Sequence, residues 1–420
     1  MKKTYKHIKG FLCVLLFCSI SATGQTLQDY LEIAEQNNPK IKAAYSQFEA
    51  AMQKSPQVSS LPDPTLTMSA FGRMIETRVG AQEARFSLMQ MFPWFGTLTA
   101  KQNAANLMAE SMFQKYVDTK NDVFLSIKKT YAELYELNKM IQLEEKNLQI
   151  LNSYRELALS RFKNGKGAMV DVVRIDIKRN ESTTKIQLLK DQNEPLRAVF
   201  NSMLNRNVDD AVNIADLLMT DEFVKPIVSD SLFISNSKVL ELDKKIASFE
   251  AQKTIAKKEG YPMIGVGLDY SIISKRDVPG LEMNGQDAIM PMLSVTLPIF
   301  RKKYSAKQKE ADFMLQSANY EKQAIKNTLQ VNYSKANYDL LKAKKLKELY
   351  QTQVESTEQA IKLLMAAYSN SGSNFEEILR MNQELLMLQT STVTANKNQF
   401  IAQSTIEYLL SKEDYDENKN

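Results

Sequence analysis

Histidine and cysteine are almost missing from this chain, and the few present lie where a mature protein could not use them. The only histidine, His7, and both cysteines, Cys13 and Cys18, fall within the first 24 residues. That stretch reads as a secretory leader: Lys2, Lys3, Lys6 and Lys9, an apolar run over 11–20, then small Ala22 and Gly24 before Gln25. The expected product is an exported chain without an imidazole or a thiol. This excludes a disulfide framework, thiolate chemistry, His/Cys metal sites and any catalytic arrangement that needs histidine. Leu12 and Phe17, which precede the two cysteines, are too bulky for a lipid-attachment site. No nucleophile–base pair is visible, so the reading is of a protein that is not an enzyme, with no catalytic residue, no cofactor and no metal.

Long hydrophobic runs are missing too. The leader's apolar core is too short to span a membrane, and no later segment offers 18 consecutive apolar residues, so no helical anchor is expected. Charge of one sign is also scarce. The leader holds four of the 54 basic residues and no acid, leaving 50 basic against 49 acidic, which is not the balance of a nucleic-acid binder.

Glycine and proline are absent from residues 97–164 and again from 301–371. These residues interrupt helices most readily, so each stretch reads as one unbroken helix, the first about 95 Å long. Both carry one rhythm. Ala109, Tyr116, Val123, Ile127, Leu134, Ile141 and Leu148 are spaced 7, 7, 4, 7, 7, 7, and Ala311, Ala318, Ile325, Leu329, Ala336, Ala343 and Tyr350 repeat the spacing 202 residues later. Heptads with one four-residue step describe a coiled-coil seam that straightens at the stutter.

The order of elements repeats as well. A helical pattern over 26–57, with a possible break at Pro39, stops at Leu61-Pro62-Asp63-Pro64. Strands follow over 65–74, with Leu66, Met68 and Ala70 on one face, and over 83–92, with Phe86, Leu88 and Phe92 on one face. Phe92-Pro93-Trp94-Phe95-Gly96 then leads into the long helix, a turn at 164–167 and a return helix over 168–193, with Pro195 near its end. After a mixed segment to about 237, a helix over 238–259 stops at Gly260-Tyr261-Pro262. A strand over 263–272 places Ile264, Val266, Leu268, Tyr270 and Ile272 opposite Gly265, Gly267, Asp269 and Ser271; a second ends at Leu297-Pro298-Ile299-Phe300. The second long helix, a turn at 370–373, a last helix to about 410 and a charged tail, 411–420, complete the chain. Phe162, Asn164, Asp171 and Arg174 match Tyr368, Asn370, Glu377 and Arg380 at a constant offset of 206. The reading is a tandem duplication: leader 1–24, first repeat 25–230 with hairpin 64–92, second repeat 231–410 with hairpin 262–298.

Four strands cannot close a barrel, which needs about eight or more. An exported chain whose strands carry an apolar face suggests a barrel shared among copies in an outer membrane, three copies giving 12 strands. Phe92, Trp94, Phe95 and Phe300 would then sit at the membrane–water boundary, the alternative being ordinary packing between strand and helix.

Taken together, the breaker before the first strand, the aromatic–proline segments after both hairpins, and the aromatic-then-glycine turns near Phe162 and Tyr368 resemble the TolC-like family of bacterial outer-membrane efflux factors. The likeness covers essentially the whole mature chain. It implies a mixed α and β membrane protein, mostly long helical hairpins forming an α-barrel tunnel, with four strands given to a homotrimeric 12-stranded transmembrane barrel. It implies a passive exit duct of a tripartite pump, with a periplasmic adaptor (membrane fusion protein) and an inner-membrane transporter as partners, membrane lipids around it and no nucleic acid. The adaptor would meet the turn residues Asn164, Gly165, Gly167, Asn370 and Gly372. The family's entrance is ringed by acids just after the second turn. Glu377 stands at such a position, but Arg380 stands where the next acid is expected, leaving an acidic ring, an arginine-containing lock or a weakly charged gate open, with Asp171 and Arg174 as the first-repeat counterparts. A lone glutamate is as readily a solvated helix face.

Two further signals are weak. Met68, Met74, Met89, Met91, Met290 and Met292 cluster on the hairpins, and methionine is a soft copper ligand, but on apolar strands it is more often filler. Gly265-x-Gly267 lacks the rest of a dinucleotide fingerprint and reads as strand packing. The competing function is a periplasmic or surface coiled-coil scaffold that conducts nothing; it leaves the amphipathic hairpins unused.

Overall fold

A computed structural model describes residues 26–215, 217–218, 232–371 and 375–411. The leader, Gly372 and all but the first residue of the charged tail lie outside them, as does the side chain of Asn370. The elements are α1 (Leu27–Asn37), α2 (Pro39–Met52), α3 (Lys54–Ser59), β1 (Thr65–Thr77), β2 (Gly80–Phe92), α4 (Thr97–Lys163) and α5 (Met169–Met203), then α6 (Ser237–Lys258), β3 (Ile264–Ile273), β4 (Ala288–Val295), α7 (Arg301–Ser371) and α8 (Phe375–Leu410). The two stretches free of glycine and proline are indeed single helices of 67 and 71 residues. Every seam residue on them is buried or half-buried, from Ala109, Ile127 and Leu134 to Ala318, Leu329 and Ala343.

Contacts divide the chain into two compact units that cut across the sequence repeats. The first comprises the described parts of Met1–Pro39, Asp122–Val224 and Ala336–Ile406; the second comprises those of Lys40–Asn121, Lys225–Lys335 and Glu407–Asn420. In the first unit, Thr26 opens α1 with a reciprocal capping box to Asp29, and Asn38, extended ahead of Pro39, closes it. Tyr30, fully buried, meets Phe200 edge-on at 5.1 Å, and its hydroxyl accepts the Asn213 amide at 2.8 Å. Tyr131 accepts the Ala215 amide in the same way, so two phenols hold the segment that follows α5. Farther along, Glu136 accepts from Thr394 and from Lys397, the latter at 2.9 Å, and Asn147 accepts from Asn382 at 2.9 Å; these polar contacts fix the register of α4 against α8.

Four boundaries differ from expectation. The first helical stretch is three helices, with a second break at Gln53. The return helix α5 does not stop near 193 but passes through Pro195 to Met203. A proline inside a helix costs about 3 kcal/mol, and here burial beyond it outweighs that: Phe200, Asn201 and Leu204 are fully buried. Asn201 donates to Val208 O and Asp210 O, both at 2.9 Å, and accepts from Arg206 at 2.8 Å. The first hairpin is longer than read: β1 reaches Thr77, where its hydroxyl donates to Gly80 O, and β2 starts at Gly80. β4 ends at Val295, not 297, because Thr296 turns to bond Met263 through both backbone and hydroxyl.

In the second unit the four strands form one antiparallel sheet in the order β1-β2-β3-β4, so the two hairpins join side by side. Asn236 caps α6 and donates to Leu409 O at 3.0 Å, while Phe233 packs edge-on against Tyr333.

Truncating Phe200 to alanine removes the ring on which Tyr30 and the far end of α5 depend. We expect a loss of about 3–5 kcal/mol of local stability, seen in hydrogen exchange as faster amides in α1 and residues 196–204 while residues 122–150 keep their protection.

Candidate channel elements: an inside-out sheet and a paired helix tip

Register places whole cross-strand rows on single faces of the sheet. One face carries the rows Leu66–Leu88–Leu268–Pro291 and Met68–Phe86–Tyr270–Ile289, then Val266 beside Leu293 and Ile264 beside Val295. The other carries Thr67–Ser87–Asp269–Met290 and Ser69–Arg85–Ser271–Ala288. Burial runs opposite to that of a water-soluble sheet. Leu66, Met68, Leu88, Val266, Leu268, Ile289 and Leu293 are exposed, Leu293 at 75%, whereas Asp269 is 4% exposed and Ser271 5%. Asp269 is satisfied by a hydrogen bond from Ser87 across the strand pair. The glycines belong to this polar face. A Cβ on Gly265 would lie 2.5 Å from Met91 Sδ, and one on Gly267 2.8 Å from Leu88 O, so both glycines make room for β2 and its methionines. Met89 and Met91 are packing groups there, and no cluster of three or more His, Cys, Asp or Glu suited to a metal occurs among the described residues.

The segments that follow the hairpins carry the aromatics. Phe92, Phe95 and Phe300 are exposed, the last two at 78% and 79%, while Trp94 is half-buried and stacked on Tyr261 at 5.3 Å. Strand–helix packing therefore accounts for Trp94 and not for the three phenylalanines.

In the first unit, α4 ends in a Schellman turn. Gly165 N donates to Phe162 O at 3.0 Å and Lys166 N to Arg161 O at 2.9 Å, with Gly165 at φ +67°, a conformation glycine adopts without the clash of a Cβ. Asn164, Gly165 and Lys166 are exposed and Gly167 is half-buried against Arg161. Behind this turn lies a buried cluster of Leu151, Tyr154, Ala158, Val172, Ile175, Tyr368, Phe375, Ile378 and Leu379. Arg161 ties it to α7, donating to Tyr368 O at 2.7 Å and lying 4.3 Å over the Tyr368 ring. Burial pushes the Tyr368 phenol up, and its oxygen has no hydrogen-bond partner among the described residues.

Around the cluster the charges are paired. Arg380 holds Glu377 in a two-pronged contact, Nε to Oε2 at 3.1 Å. Arg174 does not pair with Asp171 in the manner of its repeat counterpart; it reaches across to Glu376 on α8 at 2.7 Å. Arg155 and Arg179 both bond Asp176, at 2.7 and 3.0 Å. Asp171 is half-buried near Tyr368, whose phenol it helps to raise.

Comparison with known proteins bears on both elements. Residues 30–200 match the family model for outer membrane efflux protein. No curated protein sequence matches the chain. Among solved structures, the outer membrane protein VceC of Vibrio cholerae shares the fold at TM-score 0.72 and 16% identity, over 91% of this chain and 95% of its own. The MtrE outer membrane channel of Neisseria gonorrhoeae (0.72, 14%, 91% and 88%) and the CmeC outer membrane channel of Campylobacter jejuni (0.70, 15%, 91% and 85%) do so as well. The fold is thus that of the TolC-like channels. No helix among the described residues is long and apolar enough to cross a membrane.

Of the residues singled out from the sequence, Glu377 and Arg380 come together, and Asp171 and Arg174 do not. Of the other partners at this turn, Tyr368 was marked by the repeated aromatic-then-glycine pattern, whereas Arg161, Glu376, Arg155 and Asp176 carry no motif; their roles depend on which helices adjoin. An exposed apolar stripe on α5, Val170, Val173 and Ile177, all about half-exposed, was legible in principle from its helical spacing.

Arg380 holds the Glu377 carboxyl below the ordinary glutamate range, and Arg155, then Arg179, do the same for Asp176. Acids depressed by folding stabilise the tip above their unfolded values, about 4.3 and 3.9, and that contribution is lost as pH falls through the folded values. Amide protection over 169–181 and 375–384 should therefore hold from neutrality down to about pH 5 and fall only below about pH 4. Glu377→Gln should lower it already at neutral pH.

Proposed function

We propose that this chain is the outer-membrane exit duct of a tripartite efflux or type I secretion system, a passive channel that carries small molecules or ions across the periplasm and outer membrane. One observation carries the reading: a sheet with its apolar face exposed, Asp269 and Ser271 buried on its polar face, and both edge strands unpaired among the described residues. Water would reject such a face, whereas lipid matches it, and lipid tolerates no open strand edge, which calls for closure by further copies. Three copies give the 12-stranded homotrimeric barrel, with Phe92, Phe95 and Phe300 at the lipid–water boundary and Trp94 packed just behind. The family match and the fold of the solved channels support the same assignment.

The exposed turn Asn164, Gly165 and Gly167, with Asn370 and Gly372 as the second-repeat counterparts, is the surface we assign to a periplasmic adaptor, and the α5 stripe Val170, Val173 and Ile177 extends it with apolar area. An inner-membrane transporter supplies energy and selects cargo. At the entrance we assign Glu377 and Arg380 the role of a salt-bridged lock, with Arg174 linked to α8 through Glu376, rather than an all-acidic ring.

Single-channel conductance of the purified mature protein in planar bilayers tests this reading. Discrete steps, altered in size or ion selectivity by Glu377→Ala and Arg380→Ala, are expected; steps that neither substitution alters move the gate elsewhere, and no insertion by well-folded protein favours the non-conducting scaffold. Leu268→Arg separates the two readings independently. In a barrel it should destabilise the inserted oligomer by about 2–4 kcal/mol, visible as a lower dissociation temperature of the trimer on gels, whereas in a soluble scaffold it should be neutral or improve solubility.

A further inference from the structure

We propose that the strand–helix junction of the second unit is a binding site for a phosphate-bearing anion, the headgroup of an anionic phospholipid of the leaflet facing the periplasm. The proposal rests on the membrane reading above. The junction holds a cavity of about 950 Å³ lined by the ends of α3, α4, α6 and α7 and the segments that enter and leave the strands. Five lysines line it, Lys54, Lys101, Lys258, Lys303 and Lys307, against two acids, Glu259 and Asp63. Glu259 is already engaged by Lys101 at 3.0 Å and Lys307 at 2.6 Å. Lys258 donates to the Phe95 carbonyl at 3.2 Å. Lys54 and Lys303 have no carboxylate partner among the described residues. The cavity therefore has a surplus of positive charge.

A second feature points to an acceptor-rich ligand. Thr97, the first residue of the 67-residue helix α4, lines the cavity, is 3% exposed, and its hydroxyl is buried without a hydrogen-bond partner among the described residues. An orphaned buried hydroxyl is unfavourable, and the N-terminus of a long helix adds positive potential at the same place. A phosphodiester oxygen would accept from Thr97 while Lys54 and Lys303 neutralise the charge. Free phosphate offers the same chemistry, but a lipid also uses the aromatics of the junction: the stacked pair Trp94–Tyr261 lines the cavity, and Phe95, next in the chain to Trp94, and Phe300, just ahead of α7, are exposed and suited to meeting acyl chains.

Trp94 is the only tryptophan in the chain, so the site carries its own probe. The full mature protein is reconstituted in phosphatidylcholine vesicles containing about 5% of either phosphatidylglycerol or phosphatidylcholine with brominated acyl chains, which quench a nearby indole. Brominated phosphatidylglycerol should quench Trp94 at least about twofold more than brominated phosphatidylcholine, and the excess should shrink as salt is raised. Lys54→Gln combined with Lys303→Gln should abolish the excess, and Thr97→Val should reduce it at unchanged charge, with oligomer bands on gels confirming that the variants assemble. Equal quenching by the two lipids overturns the site while leaving the barrel standing. Quenching by neither shows that the membrane reading itself fails, and the proposal with it. If inorganic phosphate shifts Trp94 emission in lipid-free detergent and removes the phosphatidylglycerol excess, the site takes a free anion and the lipid assignment is overturned.

Discussion

The constraint on which the rest depends is the sidedness of a small sheet. Leu66, Leu88, Leu268 and their neighbours present a continuous apolar face outward, while Asp269 and Ser271 are buried on the other side. In water such an arrangement loses twice, since it leaves apolar area hydrated and withdraws polar groups from solvent. In a bilayer the sign of the first term reverses, and the second is offset where polar groups partner one another, as Ser87 and Asp269 do. The remaining demand comes from β1 and β4, whose outer edges have no partner among the described residues. Since hydrocarbon offers nothing to an open edge, more copies of the same sheet are the simplest completion.

Everything attached to the sheet answers a consequent need. The segments 93–96 and 298–300 carry the chain from strand to helix within a few residues, presenting aromatics where they do so. The two long helices then start at once. Their stability cannot come from propensity alone; it comes from the seam residues and from side-chain bonds such as Glu136 with Lys397 and Asn147 with Asn382, which set one helix against its neighbour without slippage.

At the turns the two repeats share a pattern but not a mechanism. Phe162 is 43% exposed, whereas its counterpart Tyr368 is 3% exposed and lies under Arg161. Arg174 and Arg380 occupy equivalent positions, yet one bridges to another helix and the other closes on its own. Duplicated sequence thus supplies similar groups, and the asymmetric packing of α5 and α8 gives them separate tasks.

Much of this was legible without coordinates. The absence of glycine and proline defined both long helices, and alternation in the strands exposed their two faces. These are local properties, set by backbone sterics and side-chain period. The failures have one cause. Pro195 was expected to end α5, but the burial of Phe200 and Leu204 carries the helix past it; Arg174 was read only as the counterpart of Arg380, and its bridge to Glu376 on another helix carries no signal in the sequence. The orphaned hydroxyl of Thr97 and the lysines around it carry no motif at all. Such outcomes depend on which segments, far apart in the chain, adjoin in space, and the competition among partners is decided there: sequence alone determined the elements and their faces, and only the tertiary structure decided which charges pair, which polar groups are left waiting, and where a helix overrides its own breaker.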